Sequence, residues 1–378
     1  MNILLVTEFF PSGKDLKFSG GVETRTFHLA KYLAKKHKVF VLTSRQSQTK
    51  RLEKIFGFTT IRVDPTRPYD ATAGNLLNRI RFIKEAVKVG KQLDIDIVDG
   101  GNFISHFVAR LIARAKNVPV VAWYPDVWVG SWFKNVGILG IYGEILERLN
   151  LLWGFDLYIA ISKLTAEKLK KHTKGKIHVI PCGIDKHEFS ISSPRFTYPT
   201  IICISRLAKY KRLRTLFYAF ALINLKFKMA RLVIVGSGPE LKNLTNLAKN
   251  LNIKSKVKFL SNLPRIELIK TLKSSSLFSL PSEVEGFGIS IIEACAAGVP
   301  YVVSDIAVFK EITTNGLGGL FFELGNPHDL AFKIEELLSD KRLYLAKVKE
   351  GTKLVEKYQW SAIARQTEAV YMNLIDQD

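Results

Sequence analysis

SLFSLPSEVEGFGISIIEACAAGVPYVVS, residues 276–304, decides the fold. A short apolar run ends at Pro281-Ser282, and the turn Gly286-Phe287-Gly288 follows. ISIIEACAAG then has the pattern of a short buried helix, and PYVVS restores an apolar, β-branched run. Strand, turn, helix and strand in that order make the βαβ unit of a parallel sheet. Working outward, TIICIS, ARLVIVG and KVKFL belong to the same series, each followed by a helical or loop stretch. An earlier series, NILLVTE, KVFVLTS, IDIV, VPVVAW and LYIAIS, alternates with helical patterns such as VETRTFHLAKYLAKKH. Between the two, IPCGIDKHEFSISSPRFTYP is rich in Pro, Gly and Ser, which predicts a linker at about 181–198. Two domains are also what 378 residues imply. The expectation is an α/β fold of two Rossmann-like domains, 1–185 and 196–360, facing each other across a cleft with ligands at the carboxyl ends of the strands.

Composition narrows the function. Hydrophobic content of 47% with 24% charged residues excludes a disordered chain. MNILLVTEFFPSG has no basic n-region and is interrupted by Glu8, and no stretch supplies the roughly 18 apolar residues of a membrane span. A cytoplasmic location is expected, with any membrane contact peripheral. Cys182, Cys203 and Cys295 lack CxxC spacing, so neither a disulfide framework nor a zinc site is indicated. The net charge of +22 is concentrated early: residues 31–91 hold 15 Lys+Arg against 4 Asp+Glu, a net of +11. Within them NLLNRIRFIKEAVKVGKQL reads as an amphipathic helix. Leu76, Ile80, Ile83 and Val87 lie on one face, beside a stripe of Arg81, Lys84, Lys88 and Lys91. The stripe suits an anionic lipid surface or a phosphorylated acceptor, or is a solvated face. No nucleic-acid-binding signature accompanies the charge.

Candidate site residues gather at predicted strand ends. After NILLVTE, Ser19-Gly20-Gly21-Val22-Glu23 opens a helix, where glycines let backbone N–H groups approach a phosphate. Gly236-Ser237-Gly238-Pro239 is a second glycine turn, equally readable as a tight turn only. In ICISRLAKYKR, Arg206 and Lys211 place two cations beyond a strand, suited to a diphosphate and to the charge on a departing nucleotide. Glu285 precedes the glycines of the 276–304 unit, where an acceptor-only carboxylate can take hydrogen bonds from sugar hydroxyls. Glu293 lies in an otherwise apolar helix and needs a partner: a ribose diol, or a salt bridge to Arg206 or Lys211.

The spacing Glu285-x7-Glu293 around Gly-Phe-Gly, followed by Gly298-Val299-Pro300, resembles glycosyltransferase family 4, retaining enzymes of GT-B fold. Gly20 to Glu23, Pro181 to Asp185, Arg206 with Lys211, Gly236 to Pro239 and Trp360 extend the resemblance over nearly the whole chain. The resemblance implies that Arg206 and Lys211 hold the donor diphosphate and Glu293 the ribose. It gives Glu285 and the amides of Gly286, Phe287 and Gly288 the transferred sugar, and brings Gly21 to the phosphates. It also implies a final helix, 361–378, that crosses back onto the N-terminal domain. Many members carry a histidine after the strand equivalent to VPVVAW; here Pro125 stands there, in WYPDVW. Asp126 is the candidate replacement, as hydrogen-bond or proton acceptor for the incoming hydroxyl, with His106 a rival. The implied activity is transfer from a nucleotide-sugar, a UDP-sugar, to a hydroxyl of a glycan or lipid-linked acceptor, with no cofactor or metal. A sugar-nucleotide epimerase of the same architecture and a basic membrane- or nucleic-acid-binding protein are the competing readings.

Overall fold

The computed structural model describes residues 1–11, 18, 20–66, 76–133, 137–138 and 140–377; Ser19 of the first glycine loop lies outside them. It divides into two compact units, Met1–Cys182 with Trp360–Asp378, and Gly183–Gln359.

The first unit is built on eight strands: β1 (Asn2–Val6), β2 (Lys38–Ser44), β3 (Leu52–Ile55), β4 (Phe58–Val63), β5 (Ile97–Gly100), β6 (Val120–Tyr124), β7 (Leu157–Ala160) and β8 (Ile177–Val179). Their order is β3-β4-β2-β1-β5-β6-β7-β8, parallel throughout except for the β3–β4 hairpin. From β4 to β7 this is the doubly wound order, whose direction of winding reverses between β1 and β5. The strands are buried on both faces, as helices on either side of a parallel sheet require.

The helix Leu76–Gly90 forms, and Ile83 and Val87 of its predicted apolar face pack against the core, but the centre of its buried side is shifted from the predicted one. Phe82 and Ala86 enter the core and Gly90 lies against Ile112, while Ile80 is exposed. The aromatic ring buries more apolar surface than the isoleucine, and it sets the rotation of the helix. The cations Arg81, Lys84, Lys88 and Lys91 are exposed, as the stripe predicts.

The final helix, Trp360–Ile375, belongs to this unit and packs on the helix Gly21–Leu33. The Trp360 indole stacks on His28, with ring centres 5.3 Å apart. Tyr371 donates its hydroxyl to Asp99, which also takes two hydrogen bonds from Arg25, at 3.0 and 2.7 Å. Arg25 and Asp99 are both buried, and the guanidinium lies 5.0 Å from the centre of the Trp123 ring. Burial opposes the charge on Arg25, and Asp99 more than offsets it, holding the guanidinium protonated.

The second unit has six strands: β9 (Thr200–Ile204), β10 (Arg231–Val235), β11 (Val257–Leu260), β12 (Leu277–Leu280), β13 (Tyr301–Ser304) and β14 (Gly319–Phe322). All pair in parallel, in the order β11-β10-β9-β12-β13-β14. The winding reverses between β9 and β12, so loops after those two strands diverge to opposite faces and leave a crevice at their carboxyl ends. The predicted linker is largely part of this unit. Ile184 pairs with Gln359 in a parallel bridge, Phe189 is buried, and Ser193 and Arg195 donate to the carbonyls of Lys270 and Gly298. Its low periodicity reflects an irregular path that still finds hydrogen-bond partners.

Candidate functional site

Both cations and both glutamates singled out in the sequence fall in the second unit, just after β9 and β12. The loop after β9 runs through Arg206 into a 3-10 turn, Lys209–Lys211. The amide of Glu283 donates to the carbonyl of Tyr210 at 2.9 Å, tying the loop after β12 to that turn. Lys211 Nζ lies 2.5 Å from Glu285 Oε1, which also accepts from the Ser282 hydroxyl at 2.9 Å. The pair is mostly buried, so each charge stabilises the other in a setting less screened than bulk water. Arg206 is exposed, and its guanidinium has no hydrogen-bond or ion-pair partner among the described residues. The turn at Gly236 lies against this loop: a Cβ there would stand 2.0 Å from the carbonyl oxygen of Ser205. Close backbone approach, with φ at +142°, is what requires glycine at that position.

The turn before the helix Ile289–Ala296 is shaped by Gly288, whose φ is +95° and whose Cβ would meet the Phe309 ring at 2.8 Å. Phe287 is buried against Tyr358, with ring centres 5.6 Å apart. The amides of Gly286, Phe287 and Gly288 donate to no acceptor among the described residues. Unsatisfied N–H groups at a helix start, beside Lys211 and the Glu285 carboxylate, form a place where an anion and a polyhydroxylated group can be held together.

Glu293 is buried one turn into that helix. Its partner is neither Arg206 nor Lys211 but Arg265, whose Nη1 lies 2.5 Å from Glu293 Oε1 and whose Nε donates to Glu188 at 2.9 Å. Burial opposes the charge of Arg265, and the two carboxylates outweigh it. Burial also pushes the Glu188 carboxyl up from its usual range. Arg265 occupies one oxygen of Glu293 and leaves the second for another donor. Neither Arg265 nor Glu188 was legible as a partner in the sequence, because 28 and 105 residues separate them from Glu293.

In the first unit, Gly20 is extended and caps the helix Gly21–Leu33. A Cβ on Gly20 or Gly21 would meet nothing within 4 Å, so neither the backbone nor packing demands glycine there. Asp126 follows β6 and is buried; its Oδ1 accepts from Lys168 Nζ at 2.7 Å and from the Val127 amide at 2.9 Å. One oxygen of Asp126 thus already holds two donors, an ammonium and a backbone amide. His106 is fully buried, bonded through Nε2 to the Trp123 carbonyl at 2.9 Å, and packed on Tyr124. Burial lowers its pKa to about 4, so the ring is neutral and serves the core. A carboxylate the sequence did not single out, Glu147, is buried beneath the loop after β6. It accepts from Trp132 Nε1 at 2.6 Å and from the Trp128 amide at 3.1 Å, and burial raises its pKa to about 7.

The model for glycosyltransferase family 4 matches residues 19–188, and that for glycosyl transferases group 1 matches residues 185–354. An uncharacterized glycosyltransferase of Methanocaldococcus jannaschii is 28% identical over 98% of this chain and 98% of its own length. A GDP-mannose-dependent phosphatidylinositol monomannoside mannosyltransferase of Mycobacterium tuberculosis is 31% identical over 60% of this chain and 64% of its own. Among solved structures, HepE of Anabaena, crystallised with UDP-glucose, matches 99% of this chain and 100% of its own at a TM-score of 0.76 and 18% identity, a likeness of fold. The tandem family match over 19–354, the two doubly wound sheets and these relatives agree: the chain belongs to glycosyltransferase family 4 and is a glycosyltransferase of GT-B fold.

Proposed function

We propose that the protein transfers a sugar, with retention at the anomeric carbon and without a metal, from a UDP-sugar to a hydroxyl of a glycan or lipid-linked acceptor. The observation that carries the proposal is the grouping of Lys211, Glu285 and the free amides of Gly286–Gly288 where the winding of the second sheet reverses. In this reading Lys211 and the exposed Arg206 take the diphosphate and stabilise its departure. Glu285 and the turn amides hold the transferred sugar. The second oxygen of Glu293 takes the ribose, Gly21 admits the phosphates closely, and Asp126 accepts a hydrogen bond from the acceptor hydroxyl. The first unit holds the acceptor, and the exposed cations of Leu76–Gly90 favour one bearing phosphate or lying at an anionic cytoplasmic membrane face. UDP is favoured by the UDP-glucose complex of the Anabaena neighbour, and GDP-mannose is the alternative suggested by the mycobacterial relative's name.

Incubating the protein with UDP-, GDP- and ADP-sugars and following nucleotide release and products by mass spectrometry tests the reading. Release of UDP with a glycosylated product supports it. An epimerised donor would point to the epimerase class, and vesicle or oligonucleotide binding with no turnover of any donor would remove the transferase reading.

A further inference from the structure

The helix Gly140–Trp153 is turned inside out relative to a soluble helix. Its buried face carries Gly140, Glu147, Asn150 and Leu151. Toward solvent it presents Ile141, Tyr142, Ile145, Leu152 and Trp153, and Ile138 in the turn before it adds a sixth large apolar side chain; the six are between 44% and 79% exposed. An amphipathic helix on a water-facing surface does the reverse, turning its polar stripe outward. Six large apolar side chains together on one exposed surface mark a contact with a partner or a membrane.

Charge decides between those two. Arg148 is exposed on the same helix, where it pairs with Glu144 at 2.7 Å, and Arg148, Glu144 and Lys171 all act electrostatically on His172. Lys171 and Lys174 are exposed and have no acidic partner among the described residues. The unit as a whole carries 30 Lys+Arg against 18 Asp+Glu, a net of +12. Apolar side chains with Trp and Tyr among them, bordered by unpaired lysines, complement a surface of anionic headgroups over acyl chains. A protein partner would have to offer a large apolar face ringed by acidic groups.

We infer that this face of Gly140–Trp153 seats the protein on an anionic lipid bilayer, with Ile141, Ile145 and Leu152 entering the acyl boundary and the unpaired Lys171 and Lys174 at the headgroups. The site thus lies on a different element from the basic stripe of Leu76–Gly90. It is independent of the donor chemistry, and nucleotide release measured on the same preparations keeps the two apart.

The test is co-sedimentation of the full chain with phosphatidylcholine vesicles, with and without phosphatidylglycerol. Wild type should pellet with the anionic vesicles. The double variant Ile145→Asp, Leu152→Asp should lose at least about tenfold in partitioning, since each change removes an aliphatic chain that would enter the lipid and adds an anion. Its melting temperature and nucleotide release should be unchanged. Lys171→Ser with Lys174→Ser should lower the preference for phosphatidylglycerol. Should the aspartate variant fail to fold, quenching by brominated lipid supplies a second measurement: wild type should lose more tryptophan emission than Trp153→Phe. Wild type remaining in the supernatant with anionic vesicles would overturn the inference, as would equal pelleting of the aspartate variant or equal quenching in Trp153→Phe. A lipid-independent dimer that Ile145→Asp, Leu152→Asp converts to monomer would assign the face to a second copy of the chain instead.

Discussion

Replacing Glu293 with glutamine separates two uses of one buried carboxylate. Glu293 Oε1 is held by Arg265, and the second oxygen is the one proposed to accept from the donor ribose. Glutamine keeps the shape and one acceptor oxygen but loses the charge. A hydrogen bond to a charged group contributes about 1.5–3 kcal/mol, so donor affinity should fall by roughly tenfold to 150-fold. The same change removes one of the two carboxylates that compensate Arg265. Breaking a buried pair outright costs about 3–5 kcal/mol, but Glu188 remains 2.9 Å from Arg265 Nε, so the loss of stability should be smaller, on the order of 1–2 kcal/mol. Calorimetric titration with UDP, run beside denaturant unfolding, reads both. A variant whose stability falls while its UDP affinity stays within twofold of wild type would refute the ribose assignment and leave Glu293 as a counterion for Arg265 alone.

Three further outcomes are expected. Arg206→Ala should lower turnover by about 10²–10³ with no change in melting temperature, because the exposed guanidinium has no partner among the described residues. Steady-state nucleotide release and a thermal melt check the two halves. Gly21→Ala should leave stability unchanged and weaken donor binding, whereas Gly288→Ala should destabilise by roughly 1–3 kcal/mol, since its φ is +95° and its Cβ would meet Phe309; unfolding curves and UDP titration distinguish them. Glu147 binds its proton more tightly folded than unfolded, with a pKa of about 7 against 4.5. Its contribution to stability is therefore fully present below pH 4.5 and is lost as pH rises to about 7, a decline on the order of 3 kcal/mol. Urea unfolding between pH 4.5 and 7 should show that decline in wild type and a flatter profile in Glu147→Gln.

Much of the fold was legible because parallel strands buried on both faces write themselves as continuous apolar runs: TIICIS, ARLVIVG, SLFSLPS and PYVVS all contain such strands of the second sheet, and KVKFL its half-exposed edge strand. Strands of weaker pattern were not read. The β3–β4 hairpin carries Glu53, Lys54 and Arg62, and β8 is a short strand at the sheet edge. The helix rotation at Leu76–Gly90 was read only in part: Ile83 and Val87 pack on the core, but several rotations satisfy a run of mixed apolar and basic residues, and the position of Phe82 selects the one that exposes Ile80. At the site, the glutamates were visible as residues out of place in apolar or glycine-rich surroundings, and Arg206 and Lys211 as cations beyond a strand. Their partners were not. Arg265 beneath Glu293, Lys168 on Asp126 and the indole of Trp132 on Glu147 come from elements whose proximity only the folded chain creates.

The way the chain leaves the first unit and returns to it governs the order in which the protein can be made. Gly183–Gln359 is one uninterrupted segment, and Ile184 lies beside Gln359 at its two ends, so this unit has every residue it needs once position 359 has left the ribosome. The first unit does not: Trp360 and Tyr371, which cover His28 and bond Asp99, are synthesised only after the whole of the second unit. Until they arrive, the buried Arg25–Asp99 pair lacks its phenol and the helix Gly21–Leu33 an apolar cover. The unit translated first is thus the one completed last, and a chain cut after residue 359 would keep a whole second unit and leave the first one open.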